Sequence, residues 1–197
     1  GADLKTFGNV RLGRKRAPQA ASSYDELSAD VKAKWQAGIG HTLTAAWQRV
    51  RQSNVEQFDK TTYEGFLESR LEPRERELSW LKWEWAGRRE RSISTLRLSH
   101  QRSTSTRNAQ RENSSFRTLE TDTVRTLGLS WQLESIVKPN WQMTNGFDVY
   151  HDQVGGKLQE IDNSSGATQE RRSLLPSGAT ALQGGLFSLH RIKLNKR

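Results

Sequence analysis

Cysteine is absent from the 197 residues. That excludes disulfides, thiolate metal ligation and a cysteine nucleophile together. Long hydrophobic runs are absent too. The longest is a few residues, too short for a transmembrane helix or the apolar core of a secretory signal. The phosphate-loop, Gly-x-Gly-x-x-Gly and Gly-x-Ser-x-Gly patterns do not occur, and none of His41, His100, His151 and His190 has a partner at metal-ligand spacing. Neither an enzyme nor a resident cofactor or metal is expected. The chain opens on Gly1 rather than Met; Gly1 reads as an expression scar, and residues 2–197 as one processed or excised β-barrel segment.

What is present is less uniform. A mean hydropathy of −0.84, taken alone, fits a soluble or partly disordered chain. Seven Trp and six Phe argue against disorder, because so much aromatic surface is normally covered by something. The charge is +9 from 31 Lys+Arg against 22 Asp+Glu, which points to an anionic partner.

The dominant pattern is period 2. Tyr24 to Trp35 fits a helix through Leu27, Val31 and Trp35, but Val31 to Ala37 also alternates strictly, which predicts a strand. Alternation recurs through Leu43–Trp47, Leu81–Trp85, Leu96–Leu98, Thr121–Leu133 and Trp141–Asp152. Weaker strands fit Phe7–Leu12 and Leu182–Leu194. One strand face carries Leu, Ala, Trp, Met and Phe; the other carries Lys82, Glu84, Arg97, Gln132 and Asp148. The expected fold is all-β, an antiparallel meander of about seven to eight long strands.

The connections alternate in length. Short turns are expected at Gly38–His41, Gly87–Glu90 and around Lys138-Pro139-Asn140, and long polar loops at Arg49–Glu77, Gln101–Glu120 and Asp152–Thr180. All three long loops fall on one side of the sheet. Short turns on one side and long loops on the other are the habit of transmembrane β-barrels, whose strands need about 9–11 residues to cross. Trp85 and Trp141 at strand ends suit an interfacial aromatic girdle. A soluble antiparallel barrel or sandwich, binding a small apolar or anionic ligand, gives the same alternation and is the alternative.

Certain stretches resemble a known family. Ser22-Ser23-Tyr24 leads into an alternating strand, a Gly-x-Gly-His turn follows, and then Thr42-Leu43-Thr44-Ala45-Ala46-Trp47-Gln48-Arg49. Glu72-Pro73-Arg74-Glu75-Arg76-Glu77-Leu78, Asp122-Thr123-Val124-Arg125-Thr126-Leu127-Gly128-Leu129, and Leu175-Pro176-Ser177-Gly178 followed by Gly184-Gly185-Leu186-Phe187 each open a strand from a long loop. In this order they resemble the barrel portion of TonB-dependent outer-membrane receptors. The resemblance implies an outer-membrane location in a Gram-negative bacterium, contact with the lipid bilayer and lipopolysaccharide, and uptake of a metal chelate (siderophore-like) or similar nutrient. It also implies energy coupling through TonB in the full-length protein. Barrels of that family have about 22 strands and are preceded by a plug domain that is not recognisable here, so the chain reads as a barrel segment or as a small barrel in its own right.

Candidate ligand-binding residues follow from the loop reading. Arg102, Arg107, Arg111 and Arg117 fall in one expected loop, and Arg171 and Arg172 in another; planar guanidinium groups suit bidentate capture of carboxylates and phosphates. Tyr150 and His151 are expected at a strand end beside a long loop. The ligand-binding set is therefore Arg102, Arg107, Arg111, Tyr150, His151, Arg171 and Arg172, with a small anionic or metal-chelate ligand. Carboxylates such as Glu72 and Glu75 read as a solvated charge run rather than an acid/base pair. Nucleic acid is not an expected partner, because the tryptophans are expected on the apolar strand face, away from the basic loops.

Overall fold

The computed structural model describes residues 9–12, 15–18, 23–87 and 91–194. Gly1, Phe7, Ser22, Arg88 to Glu90 and Asn195 to Arg197, which figure in the expectations above, lie outside these residues. A small hairpin pairs β1 (Asn9–Leu12) with β2 (Lys15–Pro18). All the other described strands belong to one nine-stranded antiparallel sheet, and the described residues include one six-residue helix, α1 (Phe58–Tyr63).

Seven of the nine strands are long. They are β3 (Asp25–Gly38), β4 (His41–Ser53), β6 (Phe66–Ala86), β7 (Ser92–Arg111), β8 (Phe116–Lys138), β9 (Trp141–Asp162) and β11 (Ala179–Ile192). Short β5 (Val55–Glu56) pairs with β6, and short β10 (Thr168–Arg171) shares one edge of β9 with β11. Each long strand pairs with its neighbours in sequence order, which is the expected meander. The helical option for Tyr24–Trp35 is not taken: β3 is a strand, consistent with its period-2 alternation of Val31, Ala33 and Trp35.

The expected long loops are corrected. β6, β7, β8 and β9 run for 21, 20, 23 and 22 residues, about twice the 9–11 that cross a bilayer. Most of Arg49–Glu77, Gln101–Glu120 and Asp152–Thr180 is strand. The ladder from Gln101↔Thr126 to Gln110↔Arg117 is unbroken, and Gln110 bonds across the bend to the Ser114 carbonyl. These stretches are polar on both faces, so alternation of hydrophobicity vanishes while backbone pairing continues.

The sheet is a single layer. Among the described residues the only buried hydrophobic side chain is Ala109, while Leu81, Leu98 and Leu127 on one face are 44%, 50% and 56% exposed. A sandwich requires a second sheet packed on such a face. None covers it among the described residues, so the sandwich alternative is not the fold.

Candidate functional site

Register places the side chains in rows across the strands. One row on the apolar face is Trp35, Leu43, Trp83, Leu96, Trp131, Phe147 and Leu186. The next, two residues along, is Ala33, Ala45, Leu81, Leu98, Leu129, Val149 and Gly184, and the third is Val31, Trp47, Ser79, His100, Leu127, His151 and Leu182. The fourth changes character, to Ala29, Arg49, Glu77, Arg102, Arg125, Gln153 and Thr180.

Indole N–H groups mark both rims of this apolar band. At the loop-side rim Trp47 Nε1 donates to Glu77 Oε1 at 2.7 Å. At the turn-side rim Trp83, Trp131 and Trp141 donate to His41 Nδ1 (3.3 Å), Ser94 Oγ (2.8 Å) and His190 Nδ1 (3.1 Å). Tryptophan has an apolar body and one polar handle, so it settles where an apolar zone meets a polar one. Trp80 departs from the expected segregation. It has the opposite parity and lies on the polar face, with Lys32 Nζ 6.0 Å and the Arg97 guanidinium 5.6 Å from its ring.

The loop-side half of the polar face holds a cleft of about 730 Å³, lined by Phe66, Arg107, Arg111, Ser114, Glu120, Glu160, Arg172 and Ser173 among others. Strands β6 to β9 supply its floor. Arg107 Nη2 lies 2.6 Å from Oε2 of Glu120, a buried carboxylate directly opposite it on β8. Arg171 Nε lies 2.7 Å from Glu160 Oε2, so Arg171 reaches the cleft through a carboxylate of its wall. The Arg111 guanidinium stacks over the Phe66 ring at 4.6 Å. Among the described residues neither Arg111 nor Arg172 has a carboxylate partner. The cleft therefore offers two committed and two uncommitted guanidinium groups.

The strap from Ser173 to Leu175 closes one side. It passes over β9 at Gly156, where a Cβ would overlap Ser173 Oγ and the Leu175 carbonyl. A glycine is required for that close approach. At the far end of β9 the turn is held by Asp162, which accepts from Ser164 Oγ (2.6 Å) and from the Ser164 N–H (2.8 Å). The Ser164 hydroxyl, then its backbone N–H, hold the Asp162 carboxyl below its ordinary pKa.

The structure thus sorts the seven sequence-derived residues. Arg107, Arg111 and Arg172 line the cleft, and Arg171 braces it. Arg102, Arg107 and Arg111 stand on β7, and Arg171 on β10, rather than in loops. Arg102 and His151 project from the apolar-face parity, opposite to the cleft. Tyr150 lies mid-strand, not at a strand end, eight residues before the cleft residue Leu158, with its ring packed where a Cβ on Gly128 would sit. Glu120, Glu160 and Phe66 were missed. Their signal is the cross-strand register, which pairs Arg107 with Glu120 and Phe66 with Arg111 but needs the bulge positions to be known.

No family model matches the chain, and no curated protein matches it in sequence. Among solved structures it is similar to the ferric citrate transporter FecA in its unliganded form, with a TM-score of 0.60 at 14% identity over 89% of this chain. It is similar also to the ferric yersiniabactin uptake receptor FyuA from Yersinia pestis, with a TM-score of 0.55 at 14% identity over 89% of this chain. The chain spans 28% of the length of each. At this identity the likeness is one of fold: an antiparallel meander of long strands of the kind that forms part of an outer-membrane transporter barrel.

Proposed function

We propose that the chain forms part of the wall of an outer-membrane receptor of a Gram-negative bacterium, and that its loop-side cleft captures an anionic metal chelate, siderophore-like, or a similar scarce nutrient. The observation that carries this reading is the opposition of two surfaces on one sheet. An uncovered apolar band occupies one face, and an arginine-lined cleft occupies the other, displaced toward the loops. In water the band would stay exposed. Against hydrocarbon each leucine of it gains about 1.5–3 kcal/mol. The polar face then lines a wet lumen, and the cleft lies above it where a ligand arrives from outside.

In this reading Arg111 and Arg172 take the ligand's carboxylates bidentately. Arg107 and Arg171, neutralised by Glu120 and Glu160, set the width of the cleft and share their charge once the ligand competes with those carboxylates. Tyr150 lies deeper along the same face, on the path of passage. Arg102 and His151 face the bilayer and take no part in capture. Passage beyond the cleft is gated by a plug domain and driven by coupling to TonB in the full-length protein, as the resemblance implies.

Ferric citrate and an uncharged ferric trihydroxamate, titrated against the full chain in dodecyl maltoside, test the reading. Ferric citrate is expected to bind and the uncharged chelate to bind far more weakly. Arg111→Gln and Arg172→Gln are each expected to weaken ferric citrate about tenfold, the size of one charge-assisted contact. Equal retention of both chelates, or of ferric citrate by wild type and the double variant, overturns it.

A further inference from the structure

The apolar face carries a feature that ligand capture leaves unused. Arg102 on β7 and Arg125 on β8 are direct cross-strand partners. Opposed residues have Cβ atoms about 4.5–5.5 Å apart, and like charges placed so destabilise a sheet. Both side chains are exposed, and among the described residues neither guanidinium has an ion pair or hydrogen bond. Arg49, in the same row, is committed to Glu75 at 2.6 Å. The Arg102–Arg125 pair is thus a doubly positive spot whose one neighbouring carboxylate in the row, Glu77 on the other flank of Arg102, accepts from Trp47 Nε1 and ion-pairs with neither arginine.

Its position is specific. Immediately on the turn side lies a shallow apolar depression of about 810 Å³, with Leu98, His100, Leu127, Leu129, Val149 and His151 in its lining. Immediately on the loop side stand two hydroxyl pairs, Thr104 with Thr123 at 3.4 Å and Thr106 with Thr121 at 3.2 Å. Along two strands the surface therefore reads apolar groove, guanidinium pair, hydroxyl ladder. An amphiphile with an acyl chain, an anionic junction and a hydroxyl-bearing head matches that order.

We propose that Arg102 and Arg125 clamp the headgroup phosphate of a bilayer lipid, with an acyl chain lying in the depression below. The phosphate supplies the missing counter-charge, and two planar guanidinium groups present a fork of donors to its oxygens. The occupant is a lipid rather than a free anion because the spot is continuous with the apolar depression. The inference rests on the reading that this face meets lipid.

The test uses the full chain in dodecyl maltoside, with phosphatidylglycerol, acyl-matched diacylglycerol and inorganic phosphate as probes. Retained lipid is read by native mass spectrometry. Wild type is expected to retain phosphatidylglycerol well above diacylglycerol. The double variant Arg102→Gln/Arg125→Gln is expected to retain about tenfold less, whereas Arg117→Gln, which removes one positive charge eight residues from Arg125 on β8, leaves retention unchanged. Relief of the repulsion predicts that the double variant melts no lower than wild type in lipid-free detergent, which separates lost binding from lost folding. Unchanged retention in the double variant, equal loss in Arg117→Gln, or full displacement of the lipid by inorganic phosphate overturns the clamp. Flotation with phosphatidylcholine vesicles reads the underlying assignment separately: if wild type fails to float, the bilayer reading falls as well, and if it floats with retention insensitive to the arginines, the clamp alone falls.

Discussion

The two halves of the long strands share one hydrogen-bonded ladder and differ in nearly everything else. In the turn-side half of β8, apolar Leu127, Leu129, Trp131 and Leu133 alternate with Thr126, Gly128, Ser130 and Gln132. In its loop-side half, Arg117, Leu119, Thr121 and Thr123 alternate with Thr118, Glu120 and Asp122, and neither face is apolar. The pairing of β8 with β7 and β9 runs through both. Backbone pairing is indifferent to what the faces meet. The side chains record the surroundings instead: in the proposed setting, hydrocarbon against one face of the turn-side half, and water against both faces of the other. Alternation of hydrophobicity therefore reports a half-buried strand rather than a strand as such.

The sharpest way to break this contrast is to place the same charge in each half of one strand. Leu98→Arg, in the apolar band of β7, is expected to cost about 2–4 kcal/mol in the bilayer. Thr106→Arg, on the same face but in the loop-side half, is expected to cost about 1 kcal/mol or less. Urea unfolding in lipid vesicles measures both, and equal costs would remove the bilayer from the account of the band.

A smaller effect is expected where the loop-side half depends on packing rather than on solvent. Gly156→Ala forces the Ser173–Leu175 strap off β9 and is expected to cost about 1–3 kcal/mol. Gly155→Ala points to the other face, where nothing lies within 4 Å, and leaves the strap in place. Protease cleavage within residues 172–178 distinguishes them: faster in the first variant and unchanged in the second.

The smallest expected effect is at the loop-side tip. Because the Asp162 carboxyl is held below the ordinary 3.8 by Ser164, the turn's contribution is fully present above that value and is lost as pH falls through the lowered one. The Ser164 amide resonance should titrate with a midpoint below 3.8 and lose that titration in Asp162→Asn.

These contrasts also explain what the sequence made legible. The meander and its order follow from period-2 stretches such as Leu127–Leu133, because one face of the turn-side half of the long strands is largely apolar. The loop-side half looks like loop in the sequence because Arg102 to Arg117 has no apolar face to mark its period, although its backbone ladder from Gln101 to Gln110 is unbroken. The sequence groups the arginines in expected loops at one end of the sheet and carries no sign of which face each one takes. Arg102 and Arg107 are five residues apart on β7 and project to opposite sides, a parity that composition cannot convey. The partners Glu120 and Glu160 become visible only once register is known, because they lie across strands rather than along the chain.

The irregular pairing between β6 and β7 carries a consequence for how such a wall can change. Between Leu71 and Arg74 the strand β6 carries one residue more than its partner, with Pro73, which has no N–H to contribute, in the bulge. On the turn side of that point the odd-numbered residues of β6 share the face of Trp83; on the loop side Leu71 and Ser69 share the face of Arg107. The bulge is a parity switch. It uncouples the numbering of the cleft-lining residues from that of the apolar rows. A one-residue insertion or deletion there reassigns which side chains enter the cleft and leaves the apolar rows in step. One end of the strand is thereby free to diversify, while the other keeps its fit to the surrounding phase.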